Sequence, residues 1–273
     1  MNDKQVHETV SGQYAEALQR SREKGSTGCG PAAECSGAAA LAGYGEEREA
    51  YAEAAASSFG CGNPLAFAGV EPGQTVVDLG SGAGLDLLIA AEKVGPEGRV
   101  IGVDMTDAMI EAARNAAQRA GHANVEVRRG LIEELPVEAA SVDWVVSNCV
   151  INLSPRKEDV FREIHRVLKP AGRISISDIV VEALPEEIRR SVAAYTSCIA
   201  GAISERAYVE GLEKAGLTDV QVAARLVYEA SQLIGIVEAE AVDPGVDSGA
   251  LSRAAEAVSG KVWSARFTAA KPA

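Results

Sequence analysis

The chain has 273 residues, and its hydrophobic content of 47% is ample for a buried core. A net charge of −13 and a pI near 4.8 argue against binding to nucleic acid, which needs a basic surface. The first eight residues hold no apolar signal region, and the conspicuous charge-free stretch 191–204 is too short to span a bilayer. We therefore expect a cytoplasmic, monomeric protein that binds neither nucleic acid nor a membrane.

The N-terminal region is predicted to be mainly helical. Residues 6–24 have apolar side chains near one face of a helix, and residues 46–58 are rich in Ala and Glu, which favour helices. Between them, residues 25–45 are rich in Gly, Ser and Ala and are expected to form a loop. Cys61 lies between two glycines, which predicts a tight turn.

The central region predicts a parallel sheet, because strands and helices alternate from Gly73 to about Val181. His165 is interpreted as a packing residue of a crossover helix, and His7 and His122 carry no functional signal, so a histidine general base is not expected. The chain should divide into residues 1–70, 71–182 and 183–273. The predicted helices of the central and C-terminal regions are 107–121, 157–168, 184–203 and 205–215, and the predicted C-terminal strands are 217–223 and 261–269.

Residues 76–86, Val-Val-Asp-Leu-Gly-Ser-Gly-Ala-Gly-Leu-Asp, predict a strand, a glycine turn and the start of a helix. Such a turn lets the backbone approach a nucleotide closely. A dinucleotide fingerprint has glycine at the first, third and sixth positions, whereas Gly84 is the fifth position counted from Gly80. A second strand, 99–103, ends in Asp104, whose carboxylate can accept hydrogen bonds from ribose hydroxyls.

Three further landmarks follow in order. They are a strand at 125–128 leading into residues 130–136, a strand at 141–148, and a turn at 168–173 before a strand at 174–178. Together with the glycine turn, they resemble the motifs of class I S-adenosylmethionine-dependent methyltransferases. The resemblance implies an α/β, Rossmann-like, doubly wound sheet with an N-terminal helical extension and a smaller C-terminal α+β domain. It also implies that S-adenosylmethionine is bound by Asp78, Gly80, Ser81, Gly82, Gly84, Asp104, Met105, Ile132, Glu133 and Asn148.

The methyl acceptor should be a soft atom. Oxygen and nitrogen acceptors commonly need a base or a metal near the fourth strand, but residues 147–153 offer Cys149 with no acid, histidine or lysine alongside. An acceptor with its own lone pair needs no base, and thiolates suit soft ions. The five cysteines are too scattered for a disulfide scaffold and include no Cys-x-x-Cys pair, so a structural zinc site is poorly supported.

Three cysteine segments, residues 59–64, 147–153 and 197–202, resemble those of arsenite methyltransferases. The resemblance implies that thiolates of Cys149 and Cys198 hold trivalent arsenic and that Cys61 helps to capture it. It further implies a disulfide between Cys61 and an N-terminal cysteine, for which Cys29 is the first choice and Cys35 the second.

The implied reaction is attack by the arsenic lone pair on the sulfonium methyl group of S-adenosylmethionine. Thioredoxin, glutathione or another thiol would then reopen the disulfide. Two alternatives stay open, a quinone- or sterol-type C- or O-methyltransferase and a metalloid-binding homologue without catalysis. The cysteines taken singly also allow a plain packing role, since buried Cys often behaves as a small hydrophobe.

Overall fold

The computed structural model describes residues 2–23, 51–56, 58, 62–66, 68–182, 198–199, 201–228, 256 and 259–273. The described helices are α1 (Asp3–Glu23), α2 (Ala52–Ala56), α3 (Leu85–Val94), α4 (Asp107–Ala120), α5 (Lys157–Val167) and α6 (Glu205–Lys214), with a short 3-10 helix at Ile151–Leu153. The described strands are β1 (Thr75–Leu79), β2 (Arg99–Asp104), β3 (Val125–Arg129), β4 (Val142–Asn148), β5 (Leu168–Val181), β6 (Thr218–Val227) and β7 (Val262–Ala270).

These strands form one sheet in the order β3-β2-β1-β4-β5-β7-β6. The first five strands are parallel, and β7 is antiparallel to both of its neighbours. Both faces are covered, which is why β1 is an apolar run with Val76, Val77 and Leu79 fully buried. Strand order reverses between β1 and β4, and the carboxyl edge at such a switch point is where open α/β sheets bind ligands.

Helix α4 shows how the sequence pattern produces the layer on one face of the sheet. The predicted stripe of Met109, Ile110, Ala113 and Ala117 is buried. The helix ends at Gly121, whose φ of 77° closes it in the left-handed conformation that glycine adopts without strain. The prediction of this crossover helix is confirmed to within one residue.

The described strands after residue 182 extend the central sheet. Strand β7 pairs with β5 along nine residues, and α6 places Tyr208 against Phe267 of β7, with ring centroids 4.1 Å apart and stacked. The fully buried Tyr208 therefore links α6 to the core formed by β5 and β7. The domain boundaries at residues 70 and 182 stay predictions.

Two sequence-based predictions differ from the structure. The predicted helix 184–203 is wrong at its described end, because Cys198 lies in a turn with a φ of 60°, while residues 184–197 lie outside the described part. A short uncharged apolar run does not distinguish a helix from a buried turn. The predicted turn at 168–173 is part of β5, with a register shift against β4 between the Val142 and Trp144 pairs.

Helix α1 packs on this core through Val6, Val10 and Leu18, which are buried. Among the described helices, none combines the length and the apolar character that crossing a bilayer requires.

Candidate active site

The glycine turn joins β1 to α3 at the carboxyl edge of the sheet. Gly80, Gly82 and Gly84 all have positive φ, at 62°, 51° and 98°. The amides of Gly80 and Ser81 donate to the carbonyl oxygen of Val103 at 2.8 and 3.1 Å, which fixes the turn to the end of β2. A Cβ on Gly84 would lie 3.1 Å from the Ala113 backbone, so this glycine allows α3 and α4 to pack closely.

Asp104 is oriented by backbone donors at the end of β2. The amide of Gly82 donates to its Oδ2 at 3.0 Å, and the amide of Thr106 donates to its Oδ1 at 2.8 Å. Burial raises the pKa of Asp104, while these backbone hydrogen bonds oppose that rise. A carboxylate is an acceptor only, so Asp104 can also accept a hydrogen bond from a ligand hydroxyl that displaces one of these donors.

Two more buried carboxylates make the site acidic. Asp78 at the end of β1 is 2% exposed, and Asp86 in the first turn of α3 is also buried. Burial first, and then the charges of Asp86 and Asp104, hold the pKa of Asp78 well above its ordinary value. A bound cation would relieve this repulsion, so the site favours a positively charged ligand.

A cleft lies above these residues. Its volume, counted with its opening to solvent, is about 950 Å³. Every residue predicted to bind the cofactor lines it: Asp78, Gly80, Ser81, Gly82, Gly84, Asp104, Met105, Ile132, Glu133 and Asn148. Cys149 lines the same cleft. The predicted cofactor residues and one predicted metalloid ligand thus share a single cavity.

Helix α1 supplies lining residues that the sequence interpretation missed, namely His7, Val10 and Tyr14. The Nε2 atom of His7 lies 3.0 Å from Oε1 of Glu133, and the hydroxyl of Ser154 donates to the same oxygen at 2.6 Å. His7, in which the sequence showed no functional signal, therefore lies in the cavity lining, and a role for it is untested. The spacing of Val10 and Tyr14 on one face of α1 was visible, and His7 lies one turn before Val10.

The cavity residues fit S-adenosylmethionine, a nucleoside with two ribose hydroxyls and a net positive charge. Ser81 Oγ is buried and has no hydrogen-bond partner among the described atoms, so it is available to a ligand. A Cβ built on Gly82 would meet only the Gly80 carbonyl oxygen, 4.0 Å away, which leaves space beside the turn. The acidic surroundings complement the positive charge of the ligand.

Cys149 and Cys198 meet next to this cavity. Cys149 follows β4 directly, its amide donates to the Ser177 carbonyl oxygen at 2.8 Å, and it is disulfide-bonded in this structure. The buried thiol of Cys198 donates to the Cys149 carbonyl oxygen at 2.6 Å. Both cysteines have positive φ, at 57° and 60°, and such backbone strain in non-glycine residues concentrates at functional sites.

The segment that follows Cys61 is fixed to the same place. The Gly62 amide donates to Asn148 Oδ1 at 3.1 Å, and Asn148 Nδ2 donates to the Gly62 carbonyl oxygen at 2.6 Å. A Cβ on Gly62 would lie 2.6 Å from Cβ of Ser177, so only glycine fits against β5 here.

Three of the predicted catalytic or disulfide cysteines, Cys29, Cys35 and Cys61, lie outside the described residues. Within the described part, no three His, Cys, Asp or Glu side chains are grouped to hold a metal ion. The predicted set of three arsenic ligands therefore stays a prediction.

Residues 70–216 match a family described as a methyltransferase domain. The chain is 45% identical over 196 residues to an arsenite methyltransferase of Halobacterium salinarum, and 38% identical over 224 residues to one of Aquipseudomonas alcaligenes. These matches cover 71% and 78% of this chain but 50% and 62% of the relatives, so the chain spans about half to three fifths of their length.

A solved structure shares the fold at higher coverage. The arsenic(III) S-adenosylmethionine methyltransferase of Chlamydomonas reinhardtii superimposes with a TM-score of 0.62 at 33% identity, over 86% of this chain and 72% of that one. The sheet order, the glycine turn and these similarities agree, and the chain belongs to the arsenite S-adenosylmethionine methyltransferase family, with the class I methyltransferase fold.

Proposed function

We propose that this protein transfers methyl groups from S-adenosylmethionine to trivalent arsenic bound by cysteine thiolates. The observation that carries the proposal is the position of Cys149, which lines the cofactor cavity while its carbonyl oxygen accepts from the Cys198 thiol. Two sulfur-bearing residues 49 positions apart therefore meet at the edge of the methyl-donor site. The relatives are named arsenite methyltransferases, which supports the same acceptor.

The chain's own residues would hold the donor in three ways. Asp104 accepts from the ribose hydroxyls, the open space beside Gly82 admits the ligand close to the backbone, and Asp78 with Asp86 offsets its positive charge. Bound S-adenosylmethionine supplies an electrophilic sulfonium methyl group, which a trivalent arsenic lone pair can attack in line. Most of the rate enhancement would come from holding the two reactants in register.

The cysteines would bind the arsenic and also supply electrons. Each transfer leaves arsenic formally pentavalent, and two thiolates that join in one disulfide give up the two electrons that restore the trivalent state. Cys61 and Cys29 are the favoured pair, with Cys35 as the other choice. Thioredoxin, glutathione or another thiol would then reduce the disulfide by exchange, so the external thiol is the net reductant.

The test is to incubate the reduced protein with methyl-labelled S-adenosylmethionine, arsenite and a thiol, and to separate the arsenic species. Labelled methylarsenic products are expected from the parent and not from Cys149→Ser, although that variant should still bind S-adenosylmethionine. A comparison of Cys29→Ser with Cys35→Ser identifies the disulfide partner, because loss of the true partner stops turnover after the first transfer. Arsenite that binds without any methylated product would instead indicate a metalloid-binding protein.

One observation favours a second candidate, a quinone- or sterol-type C- or O-methyltransferase. His7, paired with Glu133, gives the cavity a candidate base that an acidic hydroxyl or carbon acceptor would need. This reaction predicts that His7→Gln abolishes activity and that Cys149→Ser does not. The arsenic reaction predicts the opposite order of effects.

A further inference from the structure

A cluster of buried polar side chains lies next to the cysteine site and outside the cofactor cavity. Asp178, Asn152 and Tyr208 are fully buried, and Lys157 is partly buried beside them. None of the four lines the cofactor cavity. Polar side chains are costly to bury unless they are hydrogen-bonded, so the contacts of this cluster should show what it holds in place.

Asp178, near the carboxyl end of β5, accepts hydrogen bonds from three residues. The side chain of Asn152 donates to its Oδ1 at 2.8 Å, and the amide of Asn152 donates to its Oδ2 at 3.3 Å. The amide of Ile179 donates to Oδ1 at 2.9 Å, and the hydroxyl of Tyr208 donates to Oδ2 at 3.3 Å. Half of these bonds therefore go to Asn152, the central residue of the 3-10 helix.

Lys157 holds the same segment from another direction. Its Nζ donates to the carbonyl oxygens of Asn152 and Ser154 at 3.1 and 2.9 Å. The amide and the side chain of Asn152 are therefore bound to Asp178, while its carbonyl oxygen is bound to Lys157. Since Cys149 lies three residues before Asn152, the position of the 3-10 helix sets the direction in which the chain leaves Cys149.

Cys149 needs such support because its backbone is strained. A non-glycine residue in the left-handed region is strained, and it persists only where its surroundings impose it. On the N-terminal side the pairing of Asn148 with Ser177 supplies the constraint, and on the C-terminal side Asp178 does. Both constraints come from neighbouring residues of β5.

We propose that Asp178 is a positioning residue that holds the turn carrying Cys149, so that the Cys149 sulfur is aimed at the metalloid site. The inference rests on the proposed function for its consequence, which is tight arsenite binding. The effect on the turn itself does not depend on arsenic. Lys157 assists by fixing the carbonyl side of the same turn.

The experiment compares Asp178→Asn with Asp143→Asn, the same substitution at the other edge of the sheet, where Asp143 accepts from Thr75 and Lys169. Amide hydrogen exchange is followed at Cys149 and Asn152, and calorimetry with reduced protein gives the Kd of arsenite and of S-adenosylmethionine. Lys157→Met is the second variant, because Lys157 is only partly buried and its loss should be tolerated even if Asp178→Asn does not fold.

Asp178→Asn should speed exchange at Cys149 and Asn152 and weaken arsenite binding by about tenfold or more, a change of about 1.4 kcal/mol. The Kd of S-adenosylmethionine should stay within about twofold, and Asp143→Asn should change neither affinity. Lys157→Met should shift the same amides in the same direction, by less.

Unchanged exchange at Cys149 and Asn152 would overturn the proposal, as would equal losses of affinity for both ligands, which would indicate general destabilisation. If the parent protein does not bind arsenite, the proposed function fails. The exchange data would still decide whether Asp178 holds the turn.

Discussion

Replacement of Gly80 by alanine should damage the protein far more than the same change at Gly82, although both glycines belong to one turn. A Cβ on Gly80 would lie 2.3 Å from Cγ2 and 2.8 Å from Cβ of Val150. Val150 is β-branched, and its Cβ, which does not move when the side chain rotates, is itself within 2.8 Å, so rotation cannot relieve the clash. A Cβ on Gly82 would meet no atom closer than 4.0 Å.

The magnitudes follow from two separate costs. Both glycines have positive φ, so each alanine costs about 1–2 kcal/mol in backbone strain. Gly80→Ala adds an overpacking cost of about 1–3 kcal/mol. The free energy of unfolding should therefore fall by about 2–5 kcal/mol for Gly80→Ala and by about 1–2 kcal/mol for Gly82→Ala.

Urea unfolding of the ligand-free protein measures both values, and Val150→Ala completes a double-mutant cycle. In the Val150→Ala background, Gly80→Ala should cost less than in the parent, because the contacts with the two Cγ atoms are gone while the contact with Cβ remains. The difference should be a part of the overpacking cost of about 1–3 kcal/mol. Equal costs for the two glycine variants, or a cycle with no coupling, would refute the reasoning. Because Val150 follows Cys149, the clash is also expected to lower methyl transfer more than donor binding.

Three other predictions concern charge and packing. Burial raises the pKa values of Asp78 and Asp104 above their ordinary values, so the site loses negative charge as the pH falls, and the Kd of S-adenosylmethionine should rise as the pH is lowered. Calorimetry should show a smaller change for S-adenosylhomocysteine, which lacks the sulfonium charge. Burial raises the pKa of Asp178 from 3.8 to about 7, so its contribution to stability is full below its ordinary pKa and is lost as the pH rises through about 7. Relative to the parent, Asp178→Asn should therefore gain stability in urea titrations as the pH rises, and a constant difference would contradict this assignment. Tyr208→Ala should lower the free energy of unfolding by about 3–5 kcal/mol, since it removes the ring stacked on Phe267, and a loss below about 1 kcal/mol would contradict the packing account.

Most of the parallel sheet could be predicted because its signals are local. Strands β1 and β4 are mostly buried apolar runs, and helix α4 has an apolar stripe and an end signal at Gly121. The carboxyl ends of parallel strands meet at one edge, so Asp78, Asp104 and Asn148 could be placed together without coordinates. The predicted helix over 184–203 is wrong at Cys198, which lies in a turn. The sequence gives no local signal for this turn, since the uncharged neighbours of Cys198 suit a helix equally well.

The position of His7 in the cavity lining could not be predicted for a different reason. The location of His7 depends on where α1 docks. Val6 and Val10 pack in a cluster with residues that include Cys149 and Leu153, and Leu18 packs with Ala83, Met109 and Ala112. The hydrogen bond between His7 and Glu133 joins residues 126 positions apart. Contacts over such separations leave no trace in spacing or periodicity.

The proposed donor and acceptor sites differ in how far local sequence patterns determine them. The donor site is built from strand ends and one glycine turn, and all of them are ordered by the sheet. The proposed acceptor site depends on Cys149 and Cys198, two residues with strained backbones that the sheet alone does not impose. Pairing of Asn148 with Ser177, the Asp178 contacts of Asn152 and the thiol of Cys198 together hold that strain. Because several weak contacts share the task, chemistry at the acceptor site should be lost by substitutions that leave the fold and the donor affinity intact.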